Sequence, residues 1–192
     1  MSHEHNPEQY YTVWKLRFNL ATPDPDTTST RYHTTIFVET SPSKSGVLYH
    51  VVGDITSGMS YQKKSSDKPE DSKSFHSREF LGYTDATTHP KQWDMVLSSV
   101  PPPKKQKALN TKTAETEQVK TWDPLTFYKP GENRRPLFKC TEWTEQRAIP
   151  ALEEAGLILS VFETSGSSAS YLARPYSTTN RRSQTGASGS GS

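Results

Sequence analysis

The chain has little of what many small proteins use for cross-linking or anchoring. One of its 192 residues is cysteine, which excludes an intrachain disulfide and a cysteine-based zinc cluster. Apolar residues make up only 31%, so we expect part of the chain to lie outside a packed core. No apolar run approaches the ~20 residues that a membrane-spanning helix takes. The polar start, residues 1–9, does not resemble a secretory signal, so we expect an intracellular protein, cytoplasmic or nuclear.

Charge is nearly balanced as well. The 23 basic and 21 acidic residues leave a net charge of +2, which gives no strong signal for nucleic acid. The segment Pro101–Lys107 has three prolines and then clustered lysines, as in a short nuclear-import patch or a phosphate-contacting strip; an exposed loop is the alternative. His3 and His5 are too few for a metal site. We expect no metal and no cofactor.

The apolar pattern predicts a sheet in the first half of the chain. Strands are predicted at 11–19, 32–39, 47–52, 58–62 and 79–83, with an exposed loop at 63–73 and a last strand at 157–162. The turn at 41–46 is short enough to join two of these strands as an antiparallel hairpin. That hairpin would bring His33 and His50 close together. Alternation places His33 on the face of its strand that Thr35 and Phe37 share.

Two helices are predicted, at 90–100 and 141–155. Pro150 should kink or divide the second helix, and Gly156 is suited to its C-terminal cap. Between the helices we expect a mobile, basic and polar connection near 101–121. The sequence therefore predicts a flexible N-terminus at 1–10, a single α+β domain at 11–163 and a disordered Ser/Thr/Gly-rich tail at 164–192.

Cys140 stands where an irregular basic segment gives way to the second helix. The helix dipole favours a thiolate there, and Lys139 and Arg135 could lower the pKa of the thiol if they lie close to it. A single cysteine with histidines elsewhere in the chain is the pattern of a nucleophile and its base, here Cys140 and His33. The alternative is a small buried hydrophobic residue and a structural histidine.

The order of these residues resembles a known superfamily. His33 in Tyr-His-Thr-Thr-Ile-Phe-Val, His50 in Gly-Val-Leu-Tyr-His, and Cys140 in Lys-Cys-Thr-Glu-Trp follow one another as in the circularly permuted NlpC/P60-like (papain-like) thiol hydrolases, in particular the lecithin–retinol acyltransferase-like branch. The layout is also similar to a family of small fungal proteins without an assigned function. Lipid-acting members differ at the residues beside the cysteine and often carry a membrane anchor.

The resemblance implies a mechanism and a fold. Cys140 would attack an acyl, peptide or isopeptide carbonyl, His33 would be the base, and His50 would orient His33, with Tyr49 or Asp54 as alternatives for the third role. It implies an α+β fold, an antiparallel sheet with a C-terminal helix that carries the cysteine. We therefore expect a cysteine-dependent hydrolase or acyltransferase acting on an unidentified acyl, peptide or protein substrate. The alternative is a non-catalytic protein-interaction module on the same fold.

Overall fold

The computed structural model describes residues 10–160. Within them, two antiparallel sheets are followed by a C-terminal helical segment that contains the cysteine, which confirms the predicted α+β class. The tail predicted at 164–192 and all but the last residue of the predicted N-terminal segment lie outside the described residues. No helix in the described part is both long and apolar enough to cross a bilayer.

The larger sheet has five strands in the order β4-β3-β2-β1-β5. Their bounds are β1 Tyr10–Asn19, β2 Tyr32–Glu39, β3 Gly46–Asp54, β4 Gly58–Ser66 and β5 Phe75–Asp85. Strands β2 and β3 form the expected hairpin, in which Ile36 faces Tyr49. The hairpin turn therefore places the two strands that carry His33 and His50 side by side.

The loop predicted at 63–73 is partly wrong, because Lys63 to Ser66 belong to β4 and pair with β3. A short 3₁₀ turn, Pro69–Asp71, follows. The error has a physical cause. Strand β4 is at the edge of the sheet, and its side chains are largely exposed. Its hydrogen bonds to β3 involve only the backbone, so polar residues form this strand as well as apolar ones would.

The connection predicted near 101–121 is not an irregular linker. It contains β6, Lys107–Asn110, and most of β7, Glu115–Trp122, which pair with each other; β8, Leu125–Phe127, completes a three-stranded sheet. The backbone amides of Gln106 and Lys107 also donate to the carbonyl of Ile55, which ties this small sheet to the end of β3.

The helices pack on one face of the larger sheet. Helix α1 is Lys91–Ser99, and the C-terminal segment consists of α2, Cys140–Trp143, a π-helical turn, Thr144–Ala148, and α3, Ile149–Glu154. The predicted helix is thus divided just before Pro150, which has no N–H to donate to the preceding turn. Gly156, with φ of +70°, ends α3 as predicted. Of the last predicted strand, Leu159 alone is paired within the described residues, with Tyr83.

Each face of the larger sheet carries its own apolar cluster. The main core lies between the sheet and the helices and contains the fully buried Trp93 and Trp143 together with Cys140. The smaller cluster lies on the opposite face, around Leu16, Phe37 and Leu48. The two faces matter for the site because its residues come from both.

Candidate functional site

Cys140 begins α2 and lies against the start of β2. Its side chain is buried, with 9% of the residue exposed, and its thiol donates a hydrogen bond of 3.8 Å to the carbonyl oxygen of Tyr32. The hydroxyl of the next residue, Thr141, contacts the same carbonyl at 3.3 Å and Thr34 Oγ1 at 2.9 Å. These contacts fix the first turn of the helix onto the strand that carries His33.

His33 and His50 are joined directly. The distance from His33 Nε2 to His50 Nδ1 is 2.9 Å, and the two rings are edge to face. His50 is buried and its Nε2 has no partner in the described part of the chain. Burial lowers the pKa of His33, and burial together with the neighbouring His33 lowers the pKa of His50 to about 4. Both rings are therefore neutral near pH 7.

Cys140 and His33 approach from different sides of the sheet. Across β1 and β2, His33 faces Phe18, so its side chain is on the face of the smaller cluster, whereas Cys140 packs in the main core. Both residues line one cleft of about 440 Å³ beside the first residues of β2. No hydrogen bond joins the thiol to His33 between residues 10 and 160, so the structure pairs the two histidines and places the thiol beside the same cleft.

A network of ion pairs surrounds the start of α2. Lys139 Nζ is 2.7 Å from Asp24 Oδ1 and 2.6 Å from Asp26 Oδ2. The guanidinium of Arg31 donates two hydrogen bonds of 2.8 Å to the carboxylate of Glu142. Glu142 Oε2 also accepts a hydrogen bond of 2.8 Å from the backbone amide of Lys139, which caps the helix.

This network changes the role expected of Lys139 and Arg135. The ammonium of Lys139 is matched by two carboxylates, so it is not a free positive charge beside the thiol. Arg135 lies elsewhere: its guanidinium donates to the hydroxyl of Tyr128 and to the backbone carbonyls of Val119 and Lys120. The expectation that these two cations activate Cys140 is therefore not supported by their contacts.

The acids of the network are held in the charged form. Burial favours the neutral form of Asp24, Asp26 and Glu142, but hydrogen bonds from Lys139 and Lys107 to the aspartates and from Arg31 to the glutamate outweigh it, and the pKa of each carboxyl is lowered. These three carboxyl groups are thus ionised at neutral pH.

The alternatives for the third member of the site point away from His33. The hydroxyl of Tyr49 is 2.8 Å from His89 Nε2. The carboxylate of Asp54 accepts hydrogen bonds from Thr56 and Ser57 in its own turn. His50 is therefore the residue of the three that contacts His33.

The sequence places His76 and His89 outside the predicted strands and helices, as solvated loop residues, and this prediction is wrong in part. His76 is exposed but belongs to β5, and its ring stacks on Tyr32 with 4.1 Å between centroids. His89 is in a turn, half-buried against Tyr49 and Trp93, and burial lowers its pKa to about 4. A sequence cannot reveal such packing because it depends on which strands become neighbours.

The lowered histidine pKa values predict acid sensitivity. His33, His50 and His89 bind protons less readily in the folded than in the unfolded chain, where their pKa is near 6.5. The free energy of unfolding should therefore fall as pH drops from about 6.5 towards 4, by up to about 1.4 kcal/mol per pH unit for each histidine. Urea unfolding of the parent and of His50→Gln at several pH values between about 6.5 and 4 measures this pH dependence of the free energy of unfolding.

In this comparison the His50→Gln variant should show a shallower pH dependence than the parent. The network carboxylates are present in both proteins, so their effect at the acid end of this range cancels in the comparison. Equal slopes for the two proteins would contradict the assignment of His50 as a buried neutral ring.

Four residues of the site were not anticipated from the sequence: Asp24, Asp26, Arg31 and Glu142. Glu142 had a local signal, since it stands three residues after the helix cap at Lys139. The others had none, because their partners lie more than 80 residues away along the chain. In the part of the chain that the structure describes, no three His, Cys, Asp or Glu side chains are grouped as metal ligands.

Comparison with protein families gives a match over most of the chain. Residues 20–159 match the model of a protein family described as a family of unknown function (DUF6540). The matched range includes His33, His50 and Cys140 and covers well over half of the chain. No curated protein and no solved structure shows a significant match.

Proposed function

We propose that this chain, which belongs to the DUF6540 family, is a cysteine-dependent hydrolase or acyltransferase that forms a thioester on Cys140. One observation carries the proposal. His33 uses Nε2 to contact His50, which leaves its Nδ1 without a hydrogen-bond partner among residues 10–160, and this nitrogen is not among the buried unpaired atoms there. The accessible nitrogen belongs to a residue that lines the same cleft as the Cys140 thiol.

The pairing of the histidines allows the tautomer that a base requires. When His33 Nε2–H donates to His50 Nδ1, the single N–H proton of the neutral His50 ring is on Nε2, and His33 Nδ1 carries a free lone pair. His33 is also neutral at pH 7, because burial lowers its pKa. A neutral imidazole with a free nitrogen accepts a proton from a thiol, so His50 is a positioning residue in this scheme.

The reaction follows from these roles. The Cys140 thiol gives its proton to His33 Nδ1, and the sulfur forms a bond to the carbonyl carbon of the substrate. As the tetrahedral intermediate collapses, the bond to the leaving group breaks and His33 returns the proton to it. Water or an acceptor alcohol or amine then attacks the thioester and restores the thiol. The first acceptor makes the protein a hydrolase and the second an acyltransferase.

The start of α2 offers donors for the developing oxyanion. The backbone amides of Cys140 and Thr141 have no hydrogen-bond partner within residues 10–160, as expected for the first turn of a helix. Two such amides stabilise negative charge on a carbonyl oxygen in acyl-transfer enzymes. The chain order of His33, His50 and Cys140 on two paired strands and a later helix supports the resemblance to permuted papain-like hydrolases.

The proposal is tested by trapping the acyl group. The full chain is mixed with p-nitrophenyl acetate, a small generic acyl donor, and the adduct is located by mass spectrometry after proteolysis. The expected result is one acetyl group on Cys140, formed as p-nitrophenol is released. The Cys140→Ser variant should have no acetyl group at position 140. Acetylation of surface lysines alone, with Cys140 unmodified in the folded protein, would overturn the proposal.

A second candidate is a non-catalytic interaction module. It rests on an open groove of about 1400 Å³ along the small sheet, in which the exposed side chains of Leu109 and Leu125 lie among polar residues. In that case Cys140 would be a structural residue of the core. A chain that forms no acyl adduct with any ester or amide probe would favour this candidate.

A further inference from the structure

The segment between β1 and β2, residues 20–31, forms one wall of the cleft that Cys140 lines. Leu20 to Asp26 and Arg31 contribute to that wall. Among the described residues, the segment makes no backbone–backbone hydrogen bond to another part of the chain, whereas the flanking strands pair with each other from Thr12 to Asn19 and from Tyr32 to Glu39. Its position therefore depends on side chains.

Those side chains are charged, and their partners flank the cysteine. Asp24 and Asp26 bind Lys139, Asp26 also binds Lys107 at 2.7 Å, and Arg31 binds Glu142. None of the six side chains is more than 24% exposed. Ion pairs that are shielded in this way and share partners contribute more than isolated surface pairs.

We propose that residues 20–31 are a cover over Cys140 that ion pairs hold closed. In the closed state the cysteine is 9% exposed, and the cover forms a wall of the cleft through which a reagent or substrate approaches the thiol. Opening separates Asp24 and Asp26 from Lys139 while the five-stranded sheet stays intact, because no backbone hydrogen bond of the sheet involves the cover. The proposal concerns access to the same site and gains its biological meaning from the proposed function.

Two consequences follow from the electrostatic nature of the contact. Removing the charges of Asp24 and Asp26 should open the cover without changing its length or shape. Salt should act in the same direction, because the screening length falls from about 10 Å at 0.1 M to about 3 Å at 1 M.

The test measures the rate at which N-ethylmaleimide, a small uncharged reagent, alkylates Cys140 in the full chain. We expect Asp24→Asn/Asp26→Asn to react about tenfold faster than the parent, and Asp26→Asn alone, which keeps Asp24 on Lys139, to be intermediate. Raising the salt from about 0.1 M to about 1 M should speed the parent more than the double variant, which keeps only the Arg31–Glu142 pair. Glu132→Gln, which removes the ion pair with Lys120 away from the cleft, is the control and should react like the parent.

Tryptophan fluorescence, to which the buried Trp93 and Trp143 contribute, and circular dichroism show that each variant is folded before the rates are compared. Equal alkylation rates for the parent and both aspartate variants, or a parent rate that does not respond to salt, would overturn the proposal. Alkylation reports access to the thiol and does not include an acyl-transfer step. If Cys140 forms no acyl adduct but the double variant is alkylated faster than the parent, the proposed cover is supported and the proposed function is wrong. If Cys140 forms the adduct but the double variant is alkylated at the parent's rate, the proposed cover is wrong and the proposed function is supported.

Discussion

Replacing His33 by alanine is expected to slow acetylation of Cys140 by p-nitrophenyl acetate about 100-fold, because the thiol loses the base that takes its proton. The ring of His33 is held by His50 at 2.9 Å and leaves one nitrogen for this task. The rate is measured from p-nitrophenol release under single-turnover conditions, with the adduct on Cys140 confirmed by mass spectrometry.

The matched control is His76→Ala. His76 is also on a strand of the larger sheet and stacks on Tyr32, the residue before His33, but it is exposed and does not contact His50. Its loss should change the rate less than about twofold, since it takes no part in proton transfer. If folded His33→Ala is acetylated as fast as His76→Ala, His33 is not the base.

Replacing Gly46 by alanine is expected to destabilise the fold by about 3 kcal/mol or more, a cost of the kind seen when a rigid site is overpacked. Gly46 begins β3 and pairs with β2 on one side and β4 on the other. A methyl group there would overlap the carbonyl oxygen of Val38 and press on the ring of Phe37. Backbone in the centre of a sheet cannot yield without breaking the hairpin that joins His33 to His50.

The control for this variant is Gly131→Ala. Gly131 has a positive φ of 77° and nothing within 4 Å of the added carbon, so its replacement costs only the backbone strain of about 1–2 kcal/mol. Urea unfolding at pH 7 gives both values. Equal stability of the two variants would contradict the close approach of Val38 and Phe37 to Gly46.

Much of the larger sheet could be predicted because each strand carries its own signal. Strand β2, at 32–39, was placed correctly because β-branched and aromatic residues there are bounded by turn residues. The small sheet could not be recognised in the same way. Strand β6 has only four residues, and β7 is mostly polar with Val119 as its buried apolar side chain, so neither strand shows an apolar stripe.

The site was predictable only as far as local pattern extends. The β2–β3 turn was enough to bring His33 and His50 together, and the change from an irregular segment to a helix located Cys140. The cover could not be predicted, because the attachment of Asp24 to Lys139 joins residues 115 positions apart. A single sequence gives no sign of such a pair, since any exposed lysine could have been its partner.

The central claim is that the free nitrogen of His33 and the thiol of Cys140 share one cleft. Two-bond ¹H–¹⁵N spectra of the imidazole rings test it directly, with His33 assigned from the spectrum of His33→Ala. Alkylating Cys140 with iodoacetamide is predicted to shift the His33 Nδ1 resonance and to leave those of His76 and His89 unchanged. A His33 ring that is unaffected in fully alkylated, folded protein would contradict the claim.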